Sequence, residues 1–283
     1  MDSKEFGLVA AQQLFKIEDI HYGFWEDGEN ATLGNWKQAQ EAHTEFLFKH
    51  IFQHIENKQT SHILDIGCGV GFTTKKLLEL GYNVDGLVPY EWMAKYASNL
   101  VLDFKKDNTG RIYECRFEDF NFNEKSTKYQ IAFFSESFQY VNLDQSFQML
   151  DQILSKNGRV IIFDFFKKDN VEGTSPLGGG HKLNDFYTII KKYNYYILSD
   201  IDVTQYLSPN LMLVNEVLID RLLPFSDTLN KFLSSRYPKI YGFFKWILRK
   251  KISKLAFKYS ADRNEENFIK FKSYRLIVLS KKN

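Results

Sequence analysis

The chain has 283 residues, of which 44% are hydrophobic and 25% charged, enough for one large α/β domain with an appended lobe. A net charge of +2 makes no general demand for nucleic acid, and two cysteines, Cys68 and Cys115, exclude a disulfide framework or a cysteine metal site. No stretch reaches the roughly 18 apolar residues of a membrane span, and MDSKEFGLVAAQQLF lacks the basic start and apolar run of a secretion signal, so a cytoplasmic setting is expected.

Residues 1–60 read as a helical cap broken by a turn around Asp27 to Asn30. From Ser61 short apolar runs alternate with amphipathic stretches. Strands are expected at 62–67, 83–88, 111–115, 129–134 and 159–166, with helices at Phe72–Leu80, Glu91–Phe104 and Leu143–Leu154 between them. A helix over 182–193, a strand over 195–203, a helical insert over 205–268 and a last strand over 274–280 follow. Such strand–helix alternation argues for a parallel, doubly wound sheet. The expected units are a cap (1–60), a core (61–204), an inserted lid (205–268) and the final core strand (269–283).

Two compositional features need local explanations. Aromatic residues make up 16%, with 26 Phe and 16 Tyr, and either fill a core or line an apolar substrate cavity. Between Thr228 and Ala261 there are nine Lys or Arg and no Asp or Glu, so the remainder of the chain carries +2 − 9 = −7.

The most specific run is DIGCGVG, Asp65 to Gly71, at a strand end and opening a helix. Strand carboxyl ends are where ligands dock in open α/β sheets, and glycines let backbone turn sharply against a ligand. A dinucleotide loop would read G-x-G-x-x-G with an acid ending the next strand, where this chain has Val88. Asp65 is placed to accept hydrogen bonds from an ammonium or to orient the loop.

The Asp-x-Gly-x-Gly-x-Gly spacing resembles the first motif of the class I, Rossmann-like S-adenosylmethionine-dependent methyltransferases. That resemblance implies an α/β fold with a seven-stranded, mostly parallel sheet, an N-terminal helical cap and a helical lid before the last strand. It also implies S-adenosylmethionine as cofactor, with Asp65, Gly67, Cys68, Gly69 and Gly71 around its methionine portion. NVDGLVPYEWM corresponds to the second motif, where Val88 and Pro89 stand at the ribose position and Glu91 or the backbone substitutes for the usual acid. In CRFEDF, Phe117 with Glu118 or Asp119 would meet the adenine, the alternative being a solvated acidic turn. FFSESFQYV matches the fourth motif, which puts Ser135, Glu136, Gln139 and Tyr140 near the cofactor's reactive end. LSKNG resembles the family's turn into its fifth strand.

Methyl transfer is an in-line displacement that rests on alignment, and a general base is needed only when the acceptor must lose a proton. In HYGFW, the resemblance implies that His21, Tyr22 and Trp25 fold over cofactor and acceptor; the alternative is an aromatic cluster pinning the cap. GGGH ends in His181, either a proton acceptor or an ordinary neighbour of a helix start. Ile240, Phe243, Phe244, Ile247, Leu248, Ile252, Leu255 and Tyr259 make an apolar stripe accompanied by lysines and an arginine. The basic stretch 239–258 would lie on anionic lipid, attract an acidic acceptor, or pack as a lid. The expected function is methyl transfer to a small-molecule or lipid-like acceptor, with an anionic head allowed, no metal and no nucleic acid. The alternatives are a non-catalytic binding or partner subunit and an RNA or protein methyltransferase.

Overall fold

The computed structural model describes residues 21–26, 29–104, 110–122, 128–238 and 262–282, with a few further positions before 21. Helix α1 (Trp36–Phe52) places Ala39, His43, Leu47 and Ile51, spaced by four, on one buried face. Strand β1 (His62–Ile66) runs into α2 (Phe72–Glu79), which starts from left-handed Gly71. Next come β2 (Asn83–Val88), α3 (Glu91–Leu100), β3 (Ile112–Glu114) and β4 (Tyr129–Ser135). Helix α4 (Leu143–Ile153) is capped by Asn142, whose side chain accepts from the Gln145 amide. It leads to β5 (Leu154–Lys167), α5 (Leu183–Lys192) and β6 (Tyr195–Asp202).

The chain then leaves the sheet through α6 (Thr204–Leu207), α7 (Asn210–Asn215), a π-helical stretch (Glu216–Leu222) and α8 (Leu223–Arg236). It returns through α9 (Glu265–Phe271), capped by Asn264, into β7 (Lys272–Lys281).

The seven strands lie in the order β3-β2-β1-β4-β5-β7-β6. Neighbours from β3 to β5 pair in parallel, and β7 runs antiparallel to both β5 and β6. Consecutive residues of a strand point to opposite faces, so each face buries its own core. Leu47, Ile51, Ile63, Phe133, Phe163 and Leu276 pack on one side; Leu64, Phe134, Phe147, Ile162 and Phe186 pack on the other. The order of strands reverses between β1 and β4, which opens a crevice at their carboxyl ends.

Three expectations change. Residues 21–26 are irregular rather than helical, because their amides bond outward: Phe24 to the Ala39 carbonyl, Trp25 to the Tyr206 carbonyl and Gly23 to the Asn210 side chain. Strand β5 begins at Leu154, ahead of the expected 159, since Leu154 pairs with Tyr129 before a register shift. Its companion α4 ends at Ile153 accordingly. The apolar stripe from Ile240 to Tyr259, the basic stretch 239–258 and the turn residues Asp27 and Gly28 lie outside the described residues.

Candidate active site

The loop after β1 uses its three glycines differently. All have positive φ, +82° at Gly67, +57° at Gly69 and +88° at Gly71. A Cβ on Gly67 would stand 2.3 Å from that of Ser137, and one on Gly71 would stand 2.8 Å from that of Ala97. These two glycines let the loop pack on β4's end and on α3. Gly69 is different: a Cβ there would meet nothing within 4 Å. Its backbone faces open space at the tip of the loop.

Asp65 is buried and accepts a hydrogen bond from the Thr74 hydroxyl at 2.8 Å, so it ties β1 to the first turn of α2. The amides of Gly67 and Cys68 both donate to the Leu87 carbonyl, and the Cys68 side chain is buried against β2. Beside the start of α2, Glu18, Lys37, Gln40, Glu41, Thr73 and Lys76 line a crevice with His21 and Phe72, and Lys37 pairs with Glu18 at 3.7 Å, so its two lysines face two carboxylates.

The ribose and adenine positions are less polar. Val88 is buried with Cys68, Ala94, Met93 and Ile112. Pro89 is exposed, and Glu91 pairs with Lys95 on the surface, which lowers the Glu91 pKa. Phe117 is buried edge-on against Phe134. Glu118 accepts from the Asn142 amide at 2.6 Å, which makes it a tie to the start of α4, and Asp119 is exposed.

At the carboxyl ends of β4 and β5 five segments converge on Glu136. This residue has φ 55°, an uncommon conformation for a side chain of its size, and its amide donates to the Phe163 carbonyl. Its Oε1 accepts from the Tyr22 amide at 3.0 Å and from the Tyr274 hydroxyl at 2.9 Å. His43 Nε2 lies 3.2 Å from that hydroxyl and 3.8 Å from Oε1. Because the Tyr274 proton goes to Glu136, its oxygen accepts from His43 Nε2–H. Burial drives the His43 pKa well below its ordinary value, so the ring is neutral, stacked on Phe163 and 4.9 Å from the His21 ring. Burial, together with the Glu136 charge, also raises the Tyr22 and Tyr274 hydroxyls, which stay protonated.

Next to this cluster stands Asp164, fully buried on β5. It accepts from the Gln139 and Phe165 amides at 3.0 and 2.7 Å, and from the Gln139 side chain at 3.3 Å. Desolvation outweighs these bonds and pushes its pKa up to about 7. Ser135 is half-buried, and Tyr140 is 78% exposed at the rim.

His181 packs within the scaffold. Its Nε2 lies 2.9 Å from the Phe138 carbonyl, its ring meets Phe138 edge-on, and burial lowers its pKa. The two glycines before it pack tightly: a Cβ would stand 2.3 Å from the Gln139 side-chain oxygen at Gly179 and 3.0 Å from the Phe165 carbonyl oxygen at Gly180, whereas one at Gly178 would meet nothing within 4 Å. Buried Lys272 donates to the Gly178 and Gly179 carbonyls and lies over the Phe165 ring; burial lowers its pKa to about 8. Trp25 packs with Ala39 and Leu213 in a satellite core, and its indole N–H finds no partner there. The pinning alternative describes that side chain. Among the described residues no three His, Cys, Asp or Glu side chains gather as a metal site, and no helix is long and apolar enough to cross a membrane.

Sequence reasoning singled out Tyr22, Glu136 and Tyr140 but missed His43, Asp164, Lys272 and Tyr274. Asp164 had a visible signal as the lone acid in RVIIFDFF.

With strand order and glycine loop established, residues 64–162 also match the family model described as "Methyltransferase domain". This is a class I methyltransferase fold. The chain is 28% identical over 137 residues to sterol 4-C-methyltransferase strm-1 of Caenorhabditis elegans, a match that spans 44% of this chain and only 39% of that protein. The geranyl diphosphate C-methyltransferase of Streptomyces coelicolor A3(2), solved with Mg2+, geranyl-S-thiolodiphosphate and S-adenosyl-L-homocysteine, superposes with TM-score 0.67 at 14% identity. That alignment covers 97% of this chain and 92% of the other. A 4+2 cyclase, SpnF, shares the fold with TM-score 0.66 at 15% identity over 93% of this chain and 87% of its own. The same architecture therefore carries chemistry other than methyl transfer.

Proposed function

We propose that this protein transfers a methyl group from S-adenosylmethionine to a small acceptor with a largely apolar body. When bound, the cofactor supplies an electrophilic methyl group on a sulfonium. The open backbone face at Gly69 supports its docking along the loop. Val88 offers no carboxylate to the ribose, so that contact falls to backbone.

The observation that carries the reading is Glu136. A carboxylate one residue beyond β4, held by Tyr22 and Tyr274 among aromatic rings, supports a role in stabilising charge on an acceptor or taking its proton. Tyr22 and Phe165, half-buried over the core rings of Phe268 and Tyr274, with centroids 6.0 to 6.4 Å apart, support an acceptor with a hydrocarbon body. Tyr22 and Tyr274 orient the carboxylate, and neutral His43 fixes Tyr274. Burial of the site strengthens each of these interactions.

Calorimetry tests the first half: S-adenosylhomocysteine is expected to bind with a dissociation constant on the order of micromolar, about −8 kcal/mol. Turnover over a panel of isoprenoid, sterol and phenolic acceptors tests the second. No binding by the unmutated protein would refute the assignment. A second reading, a binding module without transfer, draws on buried Val88; cofactor binding without turnover on any of the panel would favour it.

A further inference from the structure

Strand β7 carries Lys272 and Tyr274 on one face, because residues two apart in a strand point the same way. Tyr274 donates to Glu136. Lys272 takes no part in that cluster, yet it is fully buried. Its ammonium donates to the carbonyls of Gly178 at 3.1 Å and Gly179 at 2.6 Å, and stands 5.3 Å from the centre of the Phe165 ring. Among the described residues no carboxylate pairs with it, and the other charge acting on it, that of Lys167, repels it.

A buried cation without a counter-charge is costly, and two carbonyls with one π face offset only part of that cost. A methionine would fill much the same space without it. Stability therefore does not account for a lysine here, and its contacts must.

Gly178 and Gly179 are exposed and cover the amine. The fit below them is close: a Cβ on Gly179 would stand 2.3 Å from the Gln139 side-chain oxygen and 3.3 Å from the Phe165 ring. Gln139 donates to Asp164 from both its amide and its side chain. Phe165 is half-buried, its ring centroid 6.0 Å from that of Phe268 and 6.4 Å from that of Tyr274. The Lys272 amine thus joins the loop after β5, the turn after β4 and the ring that supports a hydrocarbon acceptor.

We infer that Lys272 is a positioning residue for the acceptor: by holding the Gly178–Gly179 turn down on Phe165 and Gln139, it fixes where the Phe165 ring meets the acceptor's hydrocarbon body. This role rests on the proposed methyl transfer, since Phe165 would touch an acceptor only there.

The test compares K272M, F165L and F165L/K272M with the parent, on the isoprenoid, sterol or phenolic compound that the parent turns over best. K272M should melt no lower than the parent, because it removes an unpaired buried charge. It should bind S-adenosylhomocysteine unchanged and raise the acceptor KM about tenfold, with kcat altered by about twofold or less. Since Lys272 acts through Phe165, the double variant should show about the KM of F165L alone. A merely structural lysine would lower the melting temperature and leave KM as it was. An unchanged KM in K272M, or increases that multiply in the double variant, would overturn the inference. Amide hydrogen exchange reads the same contact without turnover: K272M should speed exchange over 177–181 by about tenfold or more and leave the Gly67–Gly71 loop unaltered. Equal exchange in K272M and the parent would overturn it too. A parent that turns over none of these compounds would instead sink the methyl-transfer reading, and the acceptor role with it, whatever the exchange shows.

Discussion

The glycine loop and the Glu136 cluster lie at the same end of the sheet and are built in opposite ways. The loop is a property of seven consecutive residues, and its shape is set by positive φ and by which Cβ atoms are missing. The cluster is assembled from Tyr22, His43, Glu136, Asp164 and Tyr274, carried on five separate segments, and its shape is set by packing. A local device constrains the backbone; a distributed one constrains side chains. They should therefore fail differently when mutated.

The largest effect is expected at the loop tip. Gly69→Arg fills open space, so S-adenosylhomocysteine affinity should fall by about a thousandfold or more, while the left-handed conformation costs only about 1–2 kcal/mol of stability. Gly67→Ala should behave inversely, unfolding the protein more readily through its 2.3 Å approach to Ser137. Calorimetry and thermal melts together separate the two, and an undisturbed affinity in Gly69→Arg would remove the cofactor from this loop.

Glu136→Gln keeps the shape and removes the charge. A fall of about 10²–10³ in kcat with unchanged cofactor affinity is expected from single-turnover assays. Unchanged turnover would reduce Glu136 to a structural tie between the cap and β7.

Asp164 sharpens the distributed side through pH. Its folded pKa of about 7 lies above the ordinary carboxylate value, so the native state holds the proton more tightly than the unfolded chain does. Stability from this group is therefore present at low pH and lost as pH rises from about 4 to about 7. Denaturant titrations should show Asp164→Asn gaining a few kcal/mol on the parent between pH 5 and 8. Parallel profiles for the two proteins would contradict the buried-acid account.

The smallest effect belongs to Tyr274→Phe, which removes one hydrogen bond to Glu136 and leaves the His43 Nε2–H without its acceptor. A loss of about 1–2 kcal/mol in stability and a kcat reduced by about tenfold or less are expected.

This contrast also explains what could be read from the residues alone. All seven strands were legible: apolar runs bounded by Gly, Asn and Lys mark the five inner ones, and the strand–helix alternation marks the little-buried edge strands β3 and β6. The Asp65 to Gly71 motif was legible because it is contiguous. Tyr22 and Glu136 were found through short motifs, whereas His43 and Tyr274 carry no local sign; 231 residues separate them and only the folded sheet makes them neighbours. A histidine after three glycines is conspicuous, but the sequence left it open between a proton acceptor and an ordinary neighbour of a helix start; only the fold shows its Nε2 beside the Phe138 carbonyl. The irregular course of 21–26 could not be inferred, since its hydrogen-bond partners lie at Ala39, Tyr206 and Asn210.

The excursion between β6 and β7 begins and ends at one point. The Val203 amide donates to the Tyr274 carbonyl, and the Tyr274 amide donates to the Thr204 hydroxyl, so the two stems of the insert are stitched together. Loop-closure entropy grows only slowly with length once such stems are joined. With α6 and α7 anchored by buried Leu207, Leu211 and Leu213, the exposed part of the excursion beyond them can therefore be lengthened, shortened or exchanged without disturbing β6 or β7. One sheet could thus serve many acceptors by trading this single piece.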